Sequence, residues 1–366
     1  MSLSIIWRSW QKIIAFNWTK LEQMSAKLPL SLLALGLFLA AAIILATGMG
    51  FLAITPGEVI QVLWAKARGV GLTPDLNPTF PFVIMEVRLP RILAAAIVGG
   101  GLAVAGAVFQ AILLNPLADP YTLGVSSGAA FGASLALVFG ILGITVPIFV
   151  SVPLFAFLGA MATLGAVFAL AAPDGRLSSN TLILSGVIVA AILSAGIGFI
   201  KYLADEQVGV IIFWLMGSLV GKTWHDVALT AGFVFPGLLV MLYFARDLNI
   251  MSLGGRTADT LGVDSRRVKK ILLLCASLIT AICVSISGII GFVGLIVPHL
   301  LRMVLGPDNR LLIPACFFGG AILLLTADTI TRAWLPTELP IGVLTSLIGG
   351  PFFCYIFRKK QLGQRA

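Results

Sequence analysis

The stretch MGSLVGKTW, Met216 to Trp224, contains residue types that could hold a phosphate: Gly217 and Gly221, then Lys222 and Thr223. A phosphate-binding loop places four residues between its glycines, then Lys and Ser or Thr, so that backbone N–H groups surround the phosphates. Only Ser218, Leu219 and Val220 separate the glycines here, and Met216 stands where the first glycine belongs. The loop also needs a buried strand before it and a helix after it, whereas VGVIIFWL precedes this stretch and hydrophobic helical runs lie on both sides. A glycine-containing turn between membrane segments accounts for it better than a nucleotide site.

Other reactive constellations are scarce. The chain contains no G-x-S-x-G, no H-E-x-x-H and no clustered carboxylates. Its two histidines, His225 and His299, are far apart, and Cys275, Cys283, Cys316 and Cys354 stand singly in apolar runs without C-x-x-C spacing. Such cysteines read as small core residues. Asp205 and Glu206 mark a helix end, and Asp328 lies one turn from Arg332, the spacing of a helix-end ion pair. A proton-coupled carrier keeps ionisable groups at mid-membrane depth, and the centres of the apolar runs are nearly free of them. An ion-coupled carrier or channel and an intramembrane enzyme are therefore disfavoured.

The elements that must position these residues are membrane helices. Hydrophobic residues make up 59% of the 366, and 11% are charged, against about 25% charged in soluble domains; the mean hydropathy is +1.07. The apolar runs approach the ~20 residues that cross a hydrocarbon core. The spans expected are 29–54, 92–114, 121–145, 147–172, 181–204, 226–245, 271–291, 292–305, 311–331 and 339–357, with 208–220 as a half-helix. The fold class is all-α and polytopic, with about ten transmembrane helices. With both termini inside, only Lys66, Arg68, Arg88, Arg91, Lys201, Lys222 and Arg332 of the 24 basic residues fall outside, which satisfies the positive-inside rule. Orientation, not nucleic-acid binding, accounts for the net charge of +9.

Residues 1–28 read as a basic amphipathic extension on the inner face, with Arg8, Lys12, Lys20 and Lys27 among Ile, Phe and Trp and no cleavable signal. Residues 29–358 form the transmembrane domain, and 359–366 a short tail on the inner side. Within the domain, Ala245–Lys270 is the longest polar stretch. It is too short for its own core, and Ile250, Leu253, Ala258, Leu261 and Val263 pattern it as one or two short amphipathic helices. Glycines in GGGLAVAGAVFQ and GVSSGAAFGAS recur three to four apart, the spacing that lets membrane helices approach closely. Arg88 and Arg91 in RLPR stand just before a span, on the face depleted of positive charge, and Arg332 falls on the same side. They could anchor lipid phosphates or dock the carboxylates of a soluble partner. The tight polar turns NPLADP and RLSSN, on the other face, could simply connect helices or close a path.

Two long stretches carry a resemblance. RLPRILAAAIVGGGLAVAGAVFQAILLNPLADPYTLGVSSGAAFGASLAL and SGIIGFVGLIVPHLLRMVLGPDNRLLIPACFFGGAILLLTADTITRAWLPTELPIGVLTSLIGG resemble the FecCD-type permeases. These are the membrane subunits of bacterial ABC importers for iron–siderophores, haem and vitamin B12. The resemblance runs from about Arg88 to Arg358 and leaves residues 1 to about 28 outside it.

The resemblance implies a type II ABC importer permease fold, ten helices per subunit, in a multi-pass protein of the bacterial inner membrane with both termini cytoplasmic. It implies a homodimer or a pair of related permeases, a dimer of cytoplasmic ATP-binding subunits that uses ATP and Mg, and a periplasmic or lipoprotein substrate-binding protein. No cofactor and no nucleic acid are expected on this chain, which is a transport subunit and not an enzyme. By the resemblance, Arg88, Arg91 and Arg332 meet acidic residues of the binding protein. Gly254 and Gly255 make the sharp turn of the coupling helices, and Leu253, Arg256, Ala258, Leu261 and Gly262 contact the ATPase. Asn115, Leu117, Ser179 and Asn180 narrow the cytoplasmic mouth; a vitamin B12 importer has Thr and Ser at the positions of Ser179 and Asn180. The implied cargo is siderophore–iron, with haem and vitamin B12 as alternatives.

Overall fold

The computed structural model describes residues 30–71, 76–143, 148–171, 178–334 and 338–363. The N-terminal amphipathic extension, Arg176 and Arg365 lie outside the described residues. Among the described residues there is no strand. In chain order the helices are α1 (Leu30–Gly48), α2 (Pro56–Arg68), α3 (Phe80–Leu113), α4 (Val125–Ile141), α5 (Ile148–Ala171), α6 (Ser179–Ala204) and α7 (Val208–Leu215). They continue as α8 (Trp224–Tyr243), α9 (Ala245–Met251), α10 (Gly255–Thr260), α11 (Ser265–Ser287), α12 (Val293–Leu305), α13 (Asn309–Ala333) and α14 (Ile341–Gly363). Among the described residues, seven apolar stretches are long enough to cross a membrane, and α4, α12 and α14 supply three shorter apolar helices. The ten expected spans thus each have a helix.

Two boundaries are corrected. The first span ends at Gly48, and residues 56–68 form a separate helix that a twenty-residue hydropathy window passes over. Local chemistry specifies it: Thr55 and Glu58 form a capping box, Pro56 opens the first turn and Gly69 closes it in the left-handed conformation (φ 65°). It buries Val59, Val62 and Ala65. The second span starts at Phe80, not near residue 92, and passes through a π-helical turn at Val83–Arg88. Pro90 has no N–H to give the preceding turn, and the Leu89 N–H reaches back to Ile84 O instead. One wide turn absorbs the mismatch without ending the helix.

Helix α3 is the axis of the core, buried at nearly every residue from Leu89 to Leu113. It packs most extensively on α13, where Gly99 and Gly320 cross; a Cβ built on Gly320 would lie 2.2 Å from Gly99 O. Helices in lipid gain little from hydrophobicity when they associate, so close van der Waals contact has to supply the attraction.

The chain breaks meet near the middle of the bundle. A Cβ on Gly101, the midpoint of α3 from Leu89 to Leu113, would touch Cys283 of α11 at 2.9 Å. Ser287 is therefore about 6 Å from that level. There α11 ends and α12 starts back after Phe292. Helix α7 turns back to the same level, so MGSLVGKT is a re-entrant turn: Ser218 N donates to Ser287 O (2.7 Å), and Gly217 O and Met216 O accept from Ile341 N and Gly342 N (both 3.1 Å). Gly217 holds φ 74°, and a Cβ there would lie 2.6 Å from Ile289 O. The glycine that resembled part of a phosphate loop is required by helix-break packing. Tyr121 Oη completes the junction, donating to Ile290 O (2.6 Å) and accepting from Ile290 N (3.3 Å).

Substituting Gly320→Leu is expected to cost at least about 3 kcal/mol, because backbone and not a flexible side chain blocks the space. Gly198→Leu, on an exposed face of α6 with nothing within 4 Å of its Cβ position, is the control. Thermal unfolding in detergent should separate the two by several degrees, and equal midpoints would remove the Gly99–Gly320 crossing as a determinant of the fold.

Candidate functional site

The residues of interest gather at opposite ends of the bundle. At one end α3 brings Arg88 and Arg91 beside the C-terminus of α1 and the last turns of α13. The expectation that the guanidinium groups stand open at a helix start is corrected. Arg88 and Arg91 lie well beyond the first turn of α3, where a helix dipole no longer acts, and they are only 6% and 8% exposed.

Arg88 Nη1 donates to Thr47 O (2.8 Å) and Gly48 O (3.0 Å), and its Nη2 donates to Leu52 O. Arg332 Nη2 donates to Ala46 O (2.8 Å). The last carbonyls of a helix have no intrahelical partner, and two arginines from other helices supply the donors for α1. Arg91 faces the other way. Its Nη2 pairs with Asp328 Oδ1 at 2.9 Å and its Nη1 with Glu338 Oε2 at 3.1 Å. The Asp328 side chain is 1% exposed and that of Glu338 44%.

The expected Asp328–Arg332 pair does not form. Packing of α13 on α3 presents the fork of Arg91 to Asp328, and Nε adds a second bond at 3.0 Å, while Arg332 is drawn to α1. Arg332 Nε is buried without a hydrogen-bond partner among the described residues. Sequence reasoning missed Glu338; its only signal was an acid in TELP close after Arg332.

At the opposite end the polar stretch forms two short helices. In α9, Ala245, Leu248 and Met251 are buried, while Leu253 and Leu261, beyond α9 and α10, are 66% and 59% exposed. Arg256, Gly255 and Gly262 are also exposed. Ala258 is fully buried, which corrects its assignment as a partner contact: its methyl fastens α10 to the body. Gly254 makes the sharp turn, with φ 107° and ψ 144°, whereas Gly255 is the first residue of α10 and has no left-handed φ. Asp259 holds the next junction, accepting from Ser265 N (3.2 Å); the Ser265 hydrogen bonds keep its carboxyl below the usual range.

The turns assigned to the mouth lie at this same end. Leu114, at φ 51°, terminates α3, and Asn115 Oδ1 accepts from Leu117 N (3.0 Å). Ser178 caps α6 by accepting from Thr181 N (3.1 Å). Ser179 accepts from Lys269 Nζ (3.4 Å), and both line a cleft of about 320 Å³ with Leu114, Met251 and Gly255. Ser179 is therefore brought against the α9–α10 connection. Asn180 is exposed, and Asn115 and Leu117 are not part of the cleft wall.

Two expected outcomes follow from this geometry. Asp328→Ala leaves a buried guanidinium short of its main counter-charge and should cost about 3 kcal/mol in detergent unfolding. Glu338→Ala, half in solvent, should cost less than about 1 kcal/mol, and equal losses would contradict the burial difference. Gly254→Ala should reduce stability by about 1 kcal/mol from its backbone angle, whereas Gly255→Pro at a helix start should be tolerated.

The FecCD transport family profile matches residues 37–359. A cobalamin import system permease protein of Halobacterium salinarum is 43% identical over 309 residues, covering 84% of this chain and 80% of that protein. A hemin transport system permease protein of Yersinia pestis is 37% identical over 334 residues, covering 90% and 96%. A solved structure described as an inward-facing conformation of an ABC transporter of the metal-chelate type superimposes with a TM-score of 0.78 at 33% identity, covering 90% of this chain and 99% of that one. The arginine cluster at one end, the paired short helices at the other and most or all of each of the ten apolar helices fall inside the matched region, and the chain belongs to the FecCD transport family, as a multi-pass ABC importer permease whose ATP is hydrolysed by a separate subunit.

Proposed function

We propose that this chain forms the membrane path of an importer that passes an iron–siderophore from a binding protein into the cytoplasm by alternating access. In this reading the arginine end faces outward and the α9–α10 end faces the cytoplasm, in the inner membrane, with both termini cytoplasmic. Two copies of the chain enclose the path. Leu253, Arg256, Leu261 and Gly262 meet the ATPase dimer, Gly254 and Gly255 shape that contact, and Asn115, Leu117, Ser179 and Asn180 border the mouth. Haem or cobalamin as cargo is the second reading, favoured by the relatives named for hemin and cobalamin.

The observation that carries the proposal is the separation of two unlike surfaces by one closely packed helical core. One end carries a guanidinium cluster in which Arg91 is already bound to two carboxylates, those of buried Asp328 and half-exposed Glu338. An acidic residue of a docking protein has the chemistry to take Glu338's place on Arg91. The other end projects Leu253 and Leu261 into solvent from a turn that the body fastens through Met251 and Ala258. These two leucines offer apolar side chains that a partner protein can bury. The walls near the central junction, including Ile289, Gly291, Val343 and Ser346 around a cavity of about 580 Å³, carry neither charges nor metal-ligating side chains apart from a methionine sulfur and the Tyr121 hydroxyl. Selection among chelates then falls mainly to the binding protein.

Uptake of a labelled chelate into proteoliposomes should require the permease, the ATPase subunit, ATP and the loaded binding protein together. Uptake with the ATPase subunit omitted would overturn the reading. Leu253→Asp should remove most ATPase-subunit binding while the permease still inserts, and binding at the wild-type level would remove α9–α10 from the contact.

A further inference from the structure

Asn249 sits in α9 beside the buried Leu248 and is itself only partly exposed. Its side chain spans to the start of α13. Nδ2 donates to Asp308 Oδ1 at 2.7 Å, and Oδ1 accepts from both Asn309 N (2.9 Å) and Asn309 Nδ2 (2.8 Å). The amide has one possible orientation. Flipped, it would set its donors against two donors and its oxygen against a carboxylate. Asp308 is also the N-cap of α13, accepting from Arg310 N (3.0 Å) and pairing with the Arg310 guanidinium (2.6 Å). Burial alone would raise the Asp308 carboxyl, but the bonds from Arg310 and Asn249 outweigh it and keep the group below the usual carboxylate range. Asn309 is 5% exposed, so solvent does not readily replace these bonds.

We infer that Asn249 is the fastener that makes α9 and α13 move as one body, and hence a positioning residue for coupling hydrolysis to transport. This rests on the reading of α9–α10 as the ATPase contact. Helix α9 packs on α13 more than on any other element. Leu248 and Met251 bury α9 in the core, but apolar contacts alone can slide. Three hydrogen bonds to one amide fix position and angle.

The other end of α13, from Asn309 to Ala333, lies 24 positions away, about 36 Å at the rise of an α-helix. There it carries Asp328 on Arg91 and Arg332 on α1. A single helix seated on α3 through the Gly99–Gly320 crossing therefore bears an attachment to the short helices at one end and to the arginine cluster at the other. Displacement of α9 by its partner would pull directly on the start of α13, with no loop between to absorb it.

The test uses the complete importer in proteoliposomes, scoring uptake per ATP hydrolysed beside the detergent unfolding midpoint. Asn249→Asp sets two carboxylates against each other; it should leave the ATPase subunit bound and lower uptake per ATP about tenfold, within the range of coupling changes from residues that touch neither ligand. Combining it with Asp308→Asn restores one acceptor and one donor with the partners exchanged, and should return uptake per ATP to within about threefold of wild type, the non-additivity expected of a direct contact.

Wild-type coupling in Asn249→Asp would overturn the proposal. So would an exchanged pair that regains its unfolding midpoint and stays uncoupled, because the bond would then be merely structural. If Asn249→Asp does not insert, the exchanged pair decides by the same criterion. Leu253→Asp run alongside separates the two readings. Normal assembly and uptake in that variant would remove the coupling reading itself, whereas its failure beside a fully coupled Asn249→Asp would remove only the fastener.

Discussion

Hydrocarbon offers no hydrogen bonds, and the rest of this structure depends on that constraint. A helix satisfies its own backbone, but a helix that stops inside the bilayer exposes carbonyl and N–H groups that cost several kcal/mol each if left alone. This chain breaks its helices inside the bundle at 216–218, at 288–292 and before Ile341. The breaks are brought together so that each completes the others: Ser218 with Ser287, Ile341 and Gly342 with Gly217 and Met216, and Ile290 with the Tyr121 hydroxyl. Glycine at 217 and 342 is what lets the backbones approach that closely.

The same rule governs the arginine end. Helix α1 stops at Gly48 with terminal carbonyls that its own turns do not bond, and the local chain returns only the Met49 N–H to Leu45 O and the Ile54 N–H to Gly48 O. Arg88 and Arg332 reach across from α3 and α13 to satisfy them. Guanidinium groups suit this work because they offer several donors in a fixed fork and stay charged. Arg91 is held differently, between a buried and a half-exposed carboxylate. The cluster is thus both a structural clasp for α1 and a surface whose preference for carboxylates is already expressed inside the molecule. Any account of docking at this end has to include the acids that occupy it in the free chain.

The opposite end follows another logic. The polar stretch is anchored inward through Leu248, Met251 and Ala258 and leaves Leu253 and Leu261 outward. Family membership supplies the reason for such a surface, since an ABC permease takes its energy from a separate ATPase. The broken phosphate-loop likeness at Gly217–Thr223 agrees with that division. Those residues serve the re-entrant turn, and Thr223 and Asp226 form the capping box that starts α8.

Hydropathy and charge made the class, the ten apolar helices and the short-helical character of the 245–270 stretch legible, because each depends on local composition and period; that the stretch holds two helices, not one, came from the structure. The half-helix at 208–220 was visible as an apolar run too short to cross. Helix α2 escaped because thirteen residues with one buried face fall below a membrane-spanning window, although its capping box was in plain view. The exposure of the arginines was misread for a different reason. Arg88 and Arg91 sit in a motif whose spacing says nothing about which carbonyls and carboxylates lie alongside. Asp328 found Arg91, 237 positions away, instead of Arg332 one turn away, and Ala258 turned inward although its neighbours are polar. Local sequence fixed where helices form and where they stop; which side chains meet across helices was decided only when packing of α3, α11 and α13 set their depth and rotation, since hydrogen bonds and ion pairs depend on distances that no spacing along the chain encodes.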